Sequence, residues 1–74
     1  MLKSTKVESL QELGDLLRAR RKDLNITQVE LARFCNLSHT GIGRIELAQN
    51  DAKFETVLKL SKILGFKIKI EFEN

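Results

Sequence analysis

Apolar positions follow a helical spacing along most of this chain and switch to strict alternation at its end. Leu10, Leu13, Leu16 and Leu17 recur at helical intervals behind a capping box offered by Ser9 and Glu12, which predicts a first helix over residues 10–22. Thr27 and Glu30 repeat that box, in which each side chain satisfies a backbone N–H left unpaired by the first helical turn. A second helix should therefore start at Gln28, with Leu31, Ala32 and Cys35 along one side and small Ala32 allowing another helix to approach closely. Asn36 interrupts the pattern, because Asn is one of the few non-glycine residues that tolerate the left-handed conformation ending a helix. Leu37 then points inward, and Ser38 caps a third helix from His39 to about Ala48 with Ile42 and Ile45 on its buried side. Gln49, Asn50 and Asp51 mark a loop. Phe54, Val57, Leu58, Leu60, Ile63 and Leu64 define a fourth helix that Gly65 ends as a left-handed cap.

Beyond Gly65, Phe66, Ile68, Ile70 and Phe72 alternate with Lys67, Lys69, Glu71 and Glu73, the pattern of a strand with one buried face. A lone strand leaves its backbone donors and acceptors unpartnered, and no other segment reads as a strand, so the simplest partner is a second copy of the chain. The charges select a register. With two copies antiparallel about a two-fold axis at Ile70, Lys69 faces Glu71, Lys67 faces Glu73 and Ile68 faces Phe72, each charged pair contributing on the order of 0.2–1 kcal/mol. Centring on Lys69 would oppose two lysines, and a parallel in-register pair would align every like charge. The chain thus divides into a polar, mobile tail (residues 1–8), a helical domain (9–65) and a dimerisation strand (66–74) carried by Phe66, Ile68, Lys69, Ile70, Glu71 and Phe72.

Seventy-four residues allow one small domain with a modest core, and 42% apolar residues without proline suit a compact, mainly α fold. The formal charge of +3 is compatible with phosphate binding but does not identify it. Arg18, Arg20, Arg21 and Lys22 cluster at the end of the first helix, where complementing the helix dipole explains them as well as an anionic partner does. No apolar run approaches membrane-spanning length and MLKSTKVES lacks the apolar centre of a signal peptide, so a cytoplasmic location and no membrane partner are expected. The single cysteine, Cys35, reads as a buried reduced thiol. It lies four positions before His39, but the intervening turn breaks the helical register and there is no further Cys or His, so no metal or cofactor is expected. An enzyme is disfavoured for want of a nucleophile–base pair, a metal-ligand set or a phosphate loop.

At TQVELARFCNLSHTGIGRIE the chain resembles the Xre/Cro family of bacterial and phage repressors, whose pattern runs T-Q-x-x-L-A-x-x-x-G-(V/L)-S-x-x-x-I-S-x-I-E. Thr27, Gln28, Leu31, Ala32, Leu37, Ser38, Ile42, Ile45 and Glu46 match it in order, with LGDLLRARRK and FETVLKLSKILG resembling the flanking first and fourth helices. Asn36 replaces the usual turn glycine. Gly41 and Gly43 stand where Thr and Ser are common, and each glycine costs a helix interior about 1 kcal/mol relative to alanine, so this helix should be weakly formed without DNA. The resemblance implies a lambda-repressor-like four-helix bundle with a helix-turn-helix, and the added C-terminal strand resembles the HipB-like antitoxin branch. That branch implies a homodimer that binds a palindromic operator in double-stranded DNA, represses its own operon and neutralises a HipA-like kinase toxin. The alternative is a stand-alone phage or metabolic repressor in which the strand serves dimerisation only.

Within that frame Thr27 and Gln28 open the second helix, where N–H groups and partial positive charge suit a phosphate, and the resemblance makes Gln28 a backbone or base contact rather than a solvated helix-start residue. Ser38, His39 and Thr40 would enter the major groove first, since residues at the start of the recognition helix read base edges, although Ser38 also suffices as a cap. Gly43 either admits a base to the backbone or reflects tight helix packing. Arg44 suits guanine readout or phosphate neutralisation equally. Lys53 is a phosphate clamp or a solvated lysine. Glu46 reads as structural, paired with an arginine of the first helix, and Val29 and Phe34 read as core completion, with a protein-binding surface as the alternative.

Overall fold

Four helices succeed one another in the computed structural model: α1 (Leu10–Asp23), α2 (Gln28–Cys35), α3 (His39–Glu46) and α4 (Phe54–Leu64). The structure describes residues 4–73; the first three residues of the expected tail and Asn74 of the expected strand lie outside it. Local chemistry sets the helix ends. The Ser9 hydroxyl accepts from the Glu12 N–H at 3.1 Å, although the reciprocal half of that box is not formed. At α2 both halves are present: Thr27 Oγ1 accepts from Glu30 N–H at 3.1 Å, and Thr27 N–H donates to Glu30 Oε1 at 2.9 Å. Asn36, with φ 55°, and Gly65, with φ 73°, supply the left-handed residues that end α2 and α4.

The third helix stops at Glu46, two residues short of the predicted end. Ala48 turns into the left-handed region with φ 55°, and Gln49 N–H folds back to donate to the Arg44 carbonyl at 2.9 Å. This bond satisfies a terminal carbonyl that a longer helix would have paired internally. Asn25, also left-handed with φ 57°, performs the corresponding reversal after α1.

Leu17, Leu31, Ala32, Cys35, Ile42, Leu60 and Leu64 form the core, with Leu13, Ile26, Leu37, Ile45 and Phe66 packed around it. Helix α3 packs on α1 and α2, and α4 on α2 and α1. The buried stripes are narrower than the apolar patterns predicted. Leu10 and Leu16 on α1, and Phe54, Leu58 and Ile63 on α4, are exposed, because a short helix in a bundle of this size buries one face only. Val29 and Phe34 are likewise exposed, so the core-completion reading of these two residues fails. The core side of α2 is already filled by Leu31, Ala32 and Cys35.

The crossing of α1 and α3 depends on Gly14, which the hydrophobic pattern does not single out. A Cβ at this buried position would lie 2.5 Å from the Glu46 carbonyl oxygen and 2.7 Å from that of Ile45, with helix backbone rather than a yielding side chain in the way. Gly14→Ala should therefore destabilise the domain by about 1–3 kcal/mol despite the better helix propensity of alanine, read as a lowered urea midpoint. An unchanged or raised midpoint would show that the two helices separate freely.

No strand occurs among the described residues. Residues 66–73 leave α4 without regular structure, Phe66 covering the core while Ile70 and Phe72 are 75% and 91% exposed. Lys69 Nζ and Glu71 Oε1 lie 3.2 Å apart along the segment, on its polar side. Among the described residues this segment has no ladder partner.

Candidate nucleic-acid interface

The helix-turn-helix is locked to α1 by a buried ion pair. Arg21, in the last turn of α1, donates from Nε to Glu46 Oε2 at 2.6 Å and from Nη2 to Glu46 Oε1 at 3.1 Å, while its Nη1 donates to the Ile26 carbonyl at 2.9 Å. The expected structural role of Glu46 is thus realised with Arg21. The network continues outward, because Gln28 Nε2 donates to the same Glu46 Oε1 at 3.1 Å. The first side chain of α2 is thereby held across the turn against α3, a link that no spacing in the sequence signals.

Gln28 lies over Gly43. A Cβ on Gly43 would meet the Gln28 amide atoms at 3.7 and 3.8 Å, ordinary van der Waals distances, so helix packing does not require glycine there. Of the two readings of Gly43, tight packing loses its support. Gly41 is closer-fitting, since its Cβ would come within 3.2 Å of the Ser38 hydroxyl that caps α3.

Helix α3 is complete over two turns despite its glycines. Ser38 Oγ accepts from Gly41 N–H at 3.0 Å, and Ile42, 1% exposed, anchors the middle of the helix, so capping and packing offset the poor propensity. The opposite face presents His39, Thr40 and Arg44 to solvent with Gly43 between them; Thr40, Gly43 and Arg44 stand at i, i+3 and i+4, and His39 lies four before Gly43. Arg44 and Lys53 line a cleft of about 260 Å³ with Ser38 and Gly41, so the loop lysine borders the same helix. Thr27 and Gln28 stand at the start of α2. The capping box turns the Glu30 carboxylate back onto Thr27 N–H and leaves the Gln28 and Val29 N–H groups without an intrahelical acceptor.

Hydrogen bonds from Thr27 hold the Glu30 carboxyl below its usual range, with Arg33 adding to the effect. The cap's contribution is therefore present above the ordinary carboxylate value and lost as pH falls through the lowered one. Burial pushes the Cys35 thiol up, against a smaller opposing influence of Lys59, so Cys35 is a neutral core residue.

The basic cluster at the end of α1 divides. Arg21 is in the core pair, and Arg20 donates from Nε to the Leu64 carbonyl at 2.7 Å, capping the end of α4. Arg18 and Lys22 stay on the surface. Sequence spacing marks a run of positive charge but does not reveal which members point inward.

Residues 17–70 match the sequence profile of the helix-turn-helix family HTH_3. The chain belongs to this helix-turn-helix family of DNA-binding regulators. It is 37% identical over 54 residues to repressor protein C2 of Salmonella phage P22, an alignment that covers 73% of this chain and 25% of that protein. The chain thus spans about a quarter of that relative's length. The restriction-modification controller protein C.AhdI of Aeromonas hydrophila superposes with a TM-score of 0.75 at 28% identity, over 78% of this chain and 88% of the other. A HipB variant solved in complex with an O2 20mer superposes with a TM-score of 0.83 at 19% identity, over 97% of this chain and the whole of that one. HipB in a HipA–HipB–O2–O3 complex gives 0.82 at 20% identity, over 96% of this chain and all of that one. Both HipB likenesses include the C-terminal segment. Among the described residues no helix is long and apolar enough to cross a membrane.

Proposed function

We propose that the chain is a sequence-specific transcriptional repressor that binds a palindromic operator as a homodimer, with residues 9–65 reading DNA and residues 66–74 joining the copies. The reading rests on one juxtaposition: Gln28, tied to Glu46, lies against Gly43, while His39, Thr40 and Arg44 line the same outward stripe of α3. Thr27, Gln28 and Lys53 position the phosphate backbone, Ser38, His39 and Thr40 lead into the major groove, and Gly43 lets a base edge approach the helix backbone. Arg44 serves either guanine readout or phosphate neutralisation.

A randomised-site binding experiment tests these assignments. His39→Ala and Thr40→Ala should change the preferred sequence or lower specific affinity by about 1–3 kcal/mol each. Lys53→Ala should weaken all sequences alike and make the salt dependence shallower by about one unit, because one phosphate neutralisation is lost. Unchanged preference in the first two variants together with altered preference in the third would overturn the assignment of α3 as the reading helix.

The repressor is further proposed to be the antitoxin of a HipA-like kinase whose operon it represses. The full-length likeness to HipB and the alternating C-terminal segment support this reading. The 37% identity to the phage C2 repressor favours a second reading, a stand-alone repressor without a toxin. An adjacent kinase-like reading frame whose product binds the purified chain would select the first.

A further inference from the structure

A groove between the end of α2 and the second half of α4 is lined by none of the residues assigned to DNA. Phe34, 59% exposed, and Ile63 give it apolar sides, Cys35 and Asn36 complete the α2 wall, and Lys59 and Lys62 make its rim basic; its volume is about 310 Å³. Among the described residues no ion pair engages either lysine. The tip of the C-terminal segment has the complementary character: Phe72, 91% exposed, stands between Glu71 and Glu73.

We propose that in the dimer the tip of one copy docks into the α2–α4 groove of the other, the Phe72 ring lying against Phe34 and Ile63 while Glu71 and Glu73 stay on the opposite, polar face of the strand. The inference rests on the strand pairing proposed above. Antiparallel pairing about Ile70 carries the tip of one copy past Ile68 toward the end of the other copy's α4, whose last turn holds Lys62 and Ile63. Within one chain the tip does not occupy this groove, Phe72 being 91% exposed. The clasp ties α2 of one copy to the strand of its partner, and so fixes how the two reading helices are spaced.

Dimer dissociation constants from sedimentation, for Phe34→Ala, Phe72→Ala and the combined variant in the full chain, test the clasp. Each single change should raise Kd about tenfold or more, and the combined change should raise it clearly less than the product of the two. Phe34 is exposed in the isolated chain, so its truncation leaves the fold intact, which an unchanged helical circular dichroism spectrum verifies. A Kd unaffected by Phe34→Ala, or fold-changes that multiply, would overturn the clasp. If deleting residues 66–74 gives monomers while Phe34→Ala leaves Kd unchanged, the clasp alone falls; if that deletion leaves dimers, the strand pairing falls with it. Coupling between Phe34 and Phe72 in thermal unfolding below the dimer Kd would place the tip in its own groove and overturn the proposal.

Discussion

Glu46→Ala should lower the stability of the domain by about 3–5 kcal/mol, a large part of the 5–15 kcal/mol available to a protein of this kind. The substitution leaves the Arg21 guanidinium, whose side chain is 9% exposed, with the Ile26 carbonyl as its one remaining acceptor. An unpaired buried charge is far costlier than a lost surface contact, because neither water nor a counter-ion replaces the carboxylate. The same change frees Gln28, whose amide donates to Glu46, so operator affinity should drop even under conditions where the variant is folded. Urea midpoints at a fixed protomer concentration measure the first effect, since dimerisation makes stability concentration-dependent. The control is Arg21→Met/Glu46→Leu, which removes both charges and should recover much of the loss in stability without restoring the hold on Gln28. A double variant no more stable than Glu46→Ala would mean that shape rather than charge pairing governs the site.

The residues legible in the sequence are those whose role is set by their neighbours in the chain. Thr27 with Glu30, Asn36, Ser38 and Gly65 each act within a few residues, and the structure has them as the cap, turn and terminator their chemistry implies. Glu46 was legible too, because a carboxylate facing DNA would be repelled and α1 supplies arginines for it to pair with. Gly14 was not, since its necessity comes from the carbonyls of a helix more than thirty residues away. The division of the arginine run also escapes local pattern: Arg20 turns to the Leu64 carbonyl and Arg21 to Glu46, and only tertiary placement separates these from a solvated charge. Val29 and Phe34 misled because apolar residues on a helix are usually buried. In a bundle this small the core accepts a single face of α2, and Phe34 is left exposed. For the outward stripe of α3 the sequence located the candidates, whereas the tie of Gln28 to Glu46 and the room above Gly43 required coordinates.

Deleting residues 66–74 should convert the dimer to monomers and lower operator affinity by roughly 10²–10⁴-fold, because two half-sites about 34–36 Å apart would then be bound independently rather than by linked reading helices. A dimer that persists in sedimentation after this deletion would move the interface to the exposed apolar residues of α4. The register has a separate and sharper test that uses mixing. In antiparallel pairing about Ile70, Lys69 of each copy faces Glu71 of the other, so Lys69→Glu places like charges opposite one another at two symmetry-related places, and Glu71→Lys does the same with the opposite sign. Either variant alone should dimerise more weakly, by about 1 kcal/mol or more, which is roughly a fivefold to tenfold rise in Kd. Mixed together, one chain of each kind restores an attractive pair at both places, and the heterodimer should form in preference to either homodimer. The 3.2 Å contact between Lys69 and Glu71 within one chain cannot produce that result, since each variant has lost it and mixing does not return it. Random assortment of the two variants, read by native mass spectrometry, would therefore reject the proposed register.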